Sequence, residues 1–152
     1  MHEPTPELLA DVLGAVLQDS AFIFAEPMEE EPEWTPPVFA AEIGFESVRN
    51  GVLRLVTNPR GAVEVAANML GVDPGDPEAE AQGRSALAEI LNVVGGAFLN
   101  RFFGGKVPSQ LGLPKTVVLS DLPATAAPCV ATLQLESGDP VRIEIELEPA
   151  AA

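Results

Sequence analysis

A carboxylate and a carboxamide lie three residues apart in the segment 85–96, at Glu89 and Asn92. A helix turns about 100° per residue, so positions three and four apart share one side. Ser85, Glu89, Asn92 and Gly96 then fall within a sector about 60° wide. Because Gly96 has no side chain, it leaves room for another molecule to come close. This pattern favours a surface offered to a partner over a buried pocket.

The chemistry that Glu89 and Asn92 could perform unaided is limited. An amide does not titrate, and no second carboxylate lies within a turn of Glu89 on that face, so a paired acid–base site is disfavoured. One carboxylate and one amide supply too few ligands for a metal ion. Residue types of this kind also occur on any solvent-exposed helix face. The pair alone therefore does not distinguish a functional site from ordinary surface.

The rest of the chain offers little catalytic chemistry. Its one histidine, His2, lies near the terminus, and its one cysteine, Cys129, falls in a predicted strand. These counts disfavour histidine-based triads, zinc sites and an intrachain disulfide framework. The formal net charge of −15 disfavours binding to nucleic acid or to an anionic membrane. The lack of a basic N-terminal flank and of a long apolar run predicts a soluble, cytoplasmic protein.

Start signals and apolar spacing predict a helix, a short strand and a hairpin in the N-terminal third. Thr5-Pro6 is typical of a helix start, and residues 21–25 are predicted as a strand. Residues 26–37 are expected to form an acidic, proline-rich loop. Its acidic run at residues 26–33 is expected to be solvated, with docking of a basic partner as the alternative. Asn50-Gly51 is typical of a tight turn between two strands. These strands are predicted at residues 38–48 and 52–56.

Two helices follow, and the second carries Glu89 and Asn92. Asn58-Pro59 begins the first, which is predicted to end at Gly71. Asp76-Pro77-Glu78 is expected to begin a long helix that runs to about Phe103. Three strands complete the chain and are predicted at residues 116–119, 129–135 and 141–147.

The order of these elements predicts the fold class. It indicates a single α+β domain over residues 1–152, with a mostly antiparallel sheet packed against an N-terminal helix and two central helices. In the strand 141–147 apolar residues alternate with charged ones, which is typical of a strand buried on one face only. The tail at residues 149–152 is expected to be mobile.

From about residue 39 to residue 120 the chain resembles the CheX branch of the CheC/CheX/FliY chemotaxis phosphatases. The resemblance rests on the predicted hairpin, on a helix that ends Asn68-Met-Leu-Gly71, and on a strand led by Leu113-Pro114. Between these lies the motif E-x-x-N at Glu89 and Asn92. A single site is expected, because in the preceding helix Glu64 is separated from Asn68 by four positions instead of three.

The resemblance implies a protein phosphatase that hydrolyses the aspartyl phosphate of a response-regulator receiver domain, such as CheY. Asn92 would orient the attacking water and Glu89 would engage the receiver lysine, with Ser85 and Gly96 on the same partner-binding face. No cofactor of the chain's own is implied, and Mg²⁺ is expected in the partner receiver domain. The alternative is a non-catalytic interaction module that docks a receiver domain or a flagellar-switch component.

The resemblance also raises the question of self-association. Relatives pair through sheet edges, so a homodimer is a further expectation, with the long regular strand at residues 141–147 as its candidate edge. The charged side chains of the same strand could equally prevent such pairing.

Overall fold

A computed structural model describes residues 3–122, 127 and 129–149 of the chain. Within these residues helices and antiparallel strands form an α+β fold, which confirms the predicted class. The helices are α1 (Pro6–Ala21), α2 (Pro59–Leu70), α3 (Pro77–Ala81) and α4 (Gly83–Phe103). The strands are β1 (Glu26–Pro27), β2 (Val38–Glu46), β3 (Gly51–Thr57), β4 (Gln110–Leu111), β5 (Lys115–Leu119), β6 (Cys129–Gln134) and β7 (Pro140–Leu147). His2 and residues 150–152 of the predicted mobile tail lie outside the described residues.

The strands form one sheet in the order β1-β6-β7-β3-β2-β4, and β5 also pairs with β2. The predicted hairpin is confirmed, since β2 pairs with β3 from Phe39 opposite Thr57 to Phe45 opposite Gly51. β7 lies between β3 and β6, so both of its hydrogen-bonding edges are occupied. The expectation that the strand at residues 141–147 offers a free edge for a homodimer is therefore wrong.

The main core lies between the helices and one face of the sheet. Leu13 of α1, Phe98 of α4 and Leu55 of β3 are fully buried there. Burial of side chains of this size contributes about 1.5–3 kcal/mol each.

α4 is, among the described residues, the one helix long and apolar enough to cross a membrane, but half of its apolar window is buried inside the protein. Its apolar character is accounted for by this packing.

α1 begins as predicted and extends into the segment predicted as a strand. Thr5 Oγ1 accepts a hydrogen bond of 3.1 Å from the Leu8 N–H, which satisfies a free amide of the first turn. The helix continues to Ala21, and Phe22 ends it in the left-handed conformation with φ 54°. The predicted strand at residues 21–25 is wrong, because its first residue belongs to α1 and of its central residues only Ile23 is buried.

The predicted long helix is interrupted near its start. Asp76 Oδ1 accepts a hydrogen bond of 2.9 Å from the Glu78 N–H, as expected of a capping residue. This cap begins the short α3, and Gln82, at φ −100° and ψ 6°, separates it from α4. The change of backbone direction coincides with a tight contact, since a Cβ on Gly83 would lie 3.3 Å from Ala62 Cβ of α2. α4 therefore begins at the point where its backbone lies close to α2.

The second face of the sheet is also covered, which the alternation in β7 does not predict. Arg142 and Glu144 are only 4% and 1% exposed. Trp34, from the acidic segment, packs beside Val38, Ala40 and Val56, and its ring centroid lies 5.9 Å from the Arg142 guanidinium carbon. The glutamates of the acidic run at residues 26–33 are exposed, as predicted, whereas Trp34, which follows this run, covers part of the sheet.

A group of charged side chains fills the second face beneath this cover. Arg54 donates a short hydrogen bond to Glu144 Oε1 and one of 2.7 Å to Glu42 Oε2. Arg142 Nε lies 3.3 Å from Glu144 Oε2. Burial opposes the charged form of Arg54, but the hydrogen bonds that Arg54 donates to Glu144 and Glu42 outweigh it and raise the pKa of Arg54. Two guanidinium groups thereby neutralise one buried carboxylate.

Arg49 connects the two ends of the described chain. Its Nη1 donates a hydrogen bond of 2.7 Å to Glu3 Oε1, and its Nε donates one of 3.0 Å to the Glu148 carbonyl. Glu148 N–H in turn donates to the Asn50 carbonyl at 2.8 Å. The turn between β2 and β3 therefore holds residues from both ends of the sequence.

Removal of the Glu144 carboxylate should destabilise the fold. We expect Glu144→Ala to lower the free energy of unfolding by about 3–5 kcal/mol, because the buried Arg142 loses the charge of Glu144 and the partly buried Arg54 keeps only its pair with Glu42. Glu146→Ala is the matched control: its side chain is 46% exposed and 4.0 Å from Arg54 Nη1, so it should cost less than about 1 kcal/mol. Urea unfolding measures both. Equal losses in the two variants would contradict this account of the charged group.

Candidate functional site

α4 has one buried and one exposed face. The apolar residues on one side of the helix are 0–7% exposed: Leu87, Ile90, Leu91, Val94, Phe98 and Phe102. Ser85, Glu89, Asn92 and Gly96 are all exposed on the other side. At a rise of 1.5 Å per residue they span about 16 Å along the helix. The structure thus brings all four predicted site residues onto one solvent-facing strip, which we call the motif face.

The polar side chains of the motif face are not engaged within the fold. In the part of the chain that the structure describes, neither Glu89 nor Asn92 forms a side-chain hydrogen bond or an ion pair. Both are therefore free to contact another molecule. Because they lie one turn apart, a rise of about 4.5 Å, both side chains can reach the same small area of a partner.

The position of the motif face depends on how α4 is fixed against the sheet. The Phe98 ring lies 6.0 Å from Phe45 of β2 and 5.3 Å from Phe102, centroid to centroid. At the N-terminal end Arg84 Nη2 donates a hydrogen bond of 3.2 Å to the Thr116 carbonyl of β5. Aromatic packing at one end and a hydrogen bond at the other oppose rotation of the helix. The motif face is consequently held toward solvent.

The adjacent glycines of α4 have opposite surroundings. A Cβ on Gly95 would lie 2.8 Å from Leu111 Cδ1, so β4 packs where a side chain would otherwise be. A Cβ on Gly96 would meet nothing within 4 Å. Glycine in a helix interior is about 0.5–1 kcal/mol less favourable than alanine. Packing within the chain therefore explains glycine at position 95, whereas at position 96 it leaves the backbone open to a molecule from outside.

α2 does not present a second motif face. Asn68 Nδ2 donates a hydrogen bond of 2.9 Å to the Ala21 carbonyl at the end of α1. Glu64 Oε1 accepts a hydrogen bond of 3.3 Å from the Ser137 N–H. These contacts use both side chains to join neighbouring elements, in agreement with the expectation of a single site.

Neither the cysteine nor any cluster of metal-binding side chains among the described residues forms a second candidate site. Cys129 is 4% exposed in β6, and burial, with a smaller contribution from the charge of Glu7, raises the pKa of its thiol. A thiol of this kind is a poor nucleophile, because the reactive thiolate is disfavoured. Within residues 3–122, 127 and 129–149 no three His, Cys, Asp or Glu side chains are grouped to hold a metal ion. The motif face remains the candidate site.

Comparison with known families identifies a match over most of the chain. A family model described as the chemotaxis phosphatase CheX matches residues 39–134, which include all of α4 and the motif face. No curated protein sequence matches the chain.

Solved structures resemble the fold over nearly its whole length. The chemotaxis protein CheX from Desulfovibrio desulfuricans is 19% identical, with a TM-score of 0.69 over 92% of this chain and 99% of that chain. The CheX–CheY–BeF3–Mg²⁺ complex from Borrelia burgdorferi contains a chain that is 15% identical, with a TM-score of 0.74 over 97% of this chain and 100% of that one. FliY from Thermotoga maritima is 15% identical, with a TM-score of 0.51 over 91% and 88%. At these identities the likeness establishes the fold.

The contrast between Gly95 and Gly96 can be tested through stability. We expect Gly96→Ala to raise the free energy of unfolding by about 0.5–1 kcal/mol, because alanine favours the helix and its Cβ meets no other atom. Gly95→Ala should be the less stable of the two variants, since the added Cβ displaces Leu111. Urea unfolding of both variants, with circular dichroism as the signal, measures the difference. A more stable Gly95→Ala variant would contradict the packing described here.

Proposed function

The chain belongs to the family of the chemotaxis phosphatase CheX, and from this premise we propose that it hydrolyses the aspartyl phosphate of a response-regulator receiver domain. Asn92 orients the attacking water, and Glu89 engages a lysine of the receiver. The observation that carries this proposal is the exposed and unengaged Glu89/Asn92 pair on α4, within the region that matches the family.

The proposed reaction suits the groups that this chain provides. Phosphoryl transfer depends on positioning and charge stabilisation more than on covalent chemistry by the protein. A carboxamide has one hydrogen-bond acceptor and two donors, so Asn92 can hold a water in line with the phosphorus without taking its proton. In this proposal the receiver holds Mg²⁺ and supplies the lysine. The phosphatase then needs no histidine, cysteine or metal of its own.

A receiver domain as partner is supported by a relative and by the shape of the motif face. The relative from Borrelia burgdorferi forms a CheX–CheY complex that includes BeF3 and Mg²⁺. In this chain Glu89 and Asn92 project from a helix surface and not from a closed cavity, so the phosphorylated aspartate must be brought to them by another protein. Gly96, one turn beyond Asn92, lets the partner's backbone approach the helix.

Substitution of Asn92 tests the catalytic assignment. We expect Asn92→Ala to slow dephosphorylation of the cognate receiver by about a hundredfold or more, because a group that orients the reacting water in the transition state is lost. Asn100→Ala is the matched control, since it removes an exposed amide about two turns further along the same helix. The measurement follows loss of aspartyl phosphate from a panel of receivers, with wild-type protein, each variant and buffer alone.

The same panel separates the proposed activity from its alternative. If a receiver binds the wild-type chain and its phosphate is lost no faster, the chain is a non-catalytic docking module. Equal rates for wild type and Asn92→Ala would remove Asn92 from the mechanism. If no receiver binds or loses phosphate faster, the proposed function is wrong.

Substitution of Gly96 tests whether the partner approaches the helix there. We expect Gly96→Leu to lower kcat/KM for the phosphorylated receiver at least tenfold, about 1.4 kcal/mol, because the new side chain occupies the space the partner needs. The same variant should unfold at no lower urea concentration than the wild type, since leucine is a good helix former. Unchanged kcat/KM would show that the partner does not contact this part of α4.

A further inference from the structure

An open groove lies on the outer side of α1, away from the motif face of α4. Its two parts have volumes of about 310 Å³ and about 500 Å³, and both are lined by Ala10, Asp11 and Pro27. The first part lies between α1 and the chain that leads from Phe24 into β1. The second continues along the N-terminal turns of α1, beside the residues that follow β1. The two parts adjoin at these shared residues, and together we call them the α1 groove.

The floor of the α1 groove is apolar and shallow. On the α1 side the floor is formed by the methyl groups of Ala10 and Ala15 and the backbone of Gly14. Leu133 and Ala131 contribute from β6. Small residues on a helix let another chain approach its backbone closely. The groove is thus shaped for the apolar side chains of an extended or helical segment.

The rim of the α1 groove is negatively charged. Its carboxylates are Glu7 and Asp11 on α1 and Glu29, Glu30 and Glu31 opposite. No lysine or arginine is among the described residues that line either part, and none of these five carboxylates forms an ion pair within the described residues. The sequence contains no lysine or arginine before Arg49. The negative charge of the rim is therefore not balanced from within the N-terminal third.

Two exposed aromatic rings lie at one end of the α1 groove. Phe24, which lines it, is 66% exposed, and Phe22 is 73% exposed. Phe22 N–H donates to the Gln18 carbonyl and Ile23 N–H to the Leu17 carbonyl, at 3.2 and 3.1 Å. In this helix-ending pattern the left-handed position is usually glycine.

Stability of the isolated fold does not account for these two phenylalanines. Glycine would relieve the backbone at Phe22, and a polar residue would suit the exposure of Phe24. Phe24 is nevertheless held in place, since its N–H donates a hydrogen bond of 3.0 Å to Glu136 Oε1. Aromatic side chains presented in this way are typical of contact points for a partner.

From the apolar floor, the acidic rim and the exposed rings we propose that the α1 groove binds a basic amphipathic segment of another protein. Apolar side chains of that segment lie on the floor and against Phe24, and its lysines and arginines face the rim carboxylates. A second copy of this chain would bring a further charge of −15 to the same rim, so charge complementarity favours a basic partner over self-association. The groove is separate from the motif face and would serve a second binding event.

Selection from a random-peptide display library with the purified full chain tests this inference. We expect the selected peptides to combine lysine or arginine with apolar residues, and their binding to weaken with added salt. Gly14→Gln should weaken the binding of a synthesised peptide at least tenfold, because the new side chain fills the floor. This variant should fold, since a Cβ there lies 4.0 Å from Leu133 Cδ1. Phe24→Ser should weaken binding to a similar extent.

A pair of charge variants distinguishes binding in the groove from general attraction to an acidic protein. One variant neutralises the rim by Glu7→Gln, Asp11→Asn and Glu30→Gln. The control removes the same charge at the far end of the hairpin, by substitution to glutamine of three residues that line another surface: Glu46, Glu146 and Glu148.

The inference requires that the rim variant lose at least tenfold in affinity and that the control lose much less. Three results would each overturn it. The first is an equal loss of affinity in the rim variant and the control, and the second is a set of selected peptides without basic residues. The third is unchanged peptide affinity in both Gly14→Gln and Phe24→Ser. Concentration-dependent dimerisation that Phe24→Ser abolishes would instead assign the groove to self-association. Dephosphorylation of a receiver by these variants is measured separately, so a failure here is distinct from a failure of the proposed phosphatase activity.

Discussion

The packing of α4 against β2 is the contact on which the rest of the structure depends. Phe98 lies against Phe45 on the sheet, while Leu111 of β4 fills the space that a side chain on Gly95 would take. These contacts fix the rotation of the helix about its axis. A rotation of one residue, about 100°, would carry Glu89 and Asn92 away from their solvent-facing side of the helix. The same hydrophobic contact therefore forms part of the core and keeps Glu89 and Asn92 exposed to solvent.

Structural features that depend on residues close together in the sequence were predicted, whereas features that depend on contacts between distant residues were missed. Thr5 and Asp76 cap helices as their types indicate, and the spacing within α4 predicts which side is exposed. The burial of Arg142 was not predictable from β7, because Trp34 covers it from more than a hundred residues earlier. The break at Gln82 was likewise not predicted; it lies beside Gly83, which packs closely against Ala62 of α2. For the site, spacing found the polar pair, but only the resemblance to a family suggested what the pair does.

Acidic charge has two different roles in this molecule. On the second face of the sheet Glu144 is buried and neutralised by Arg54 and Arg142, so its charge contributes to a fixed internal arrangement. Along the α1 groove the carboxylates form no ion pair among the described residues, so their charge is not neutralised within the fold. On the motif face a single carboxylate, Glu89, suffices, since the proposed partner brings the cation and the metal. At the motif face and at the α1 groove, the proposed interactions thus depend on charged groups that a bound partner supplies.

The contacts of Arg49 have a consequence for how this domain can be combined with others. Glu3 and Glu148 meet at the same turn, so the chain enters and leaves the fold at one place. A domain with adjacent ends can be inserted into a surface loop of a second protein without long linkers, because the host loop need not be stretched. In such a fusion α4 keeps its orientation relative to the insertion point. This fold of the CheX family can then be placed inside a signalling protein as a compact unit.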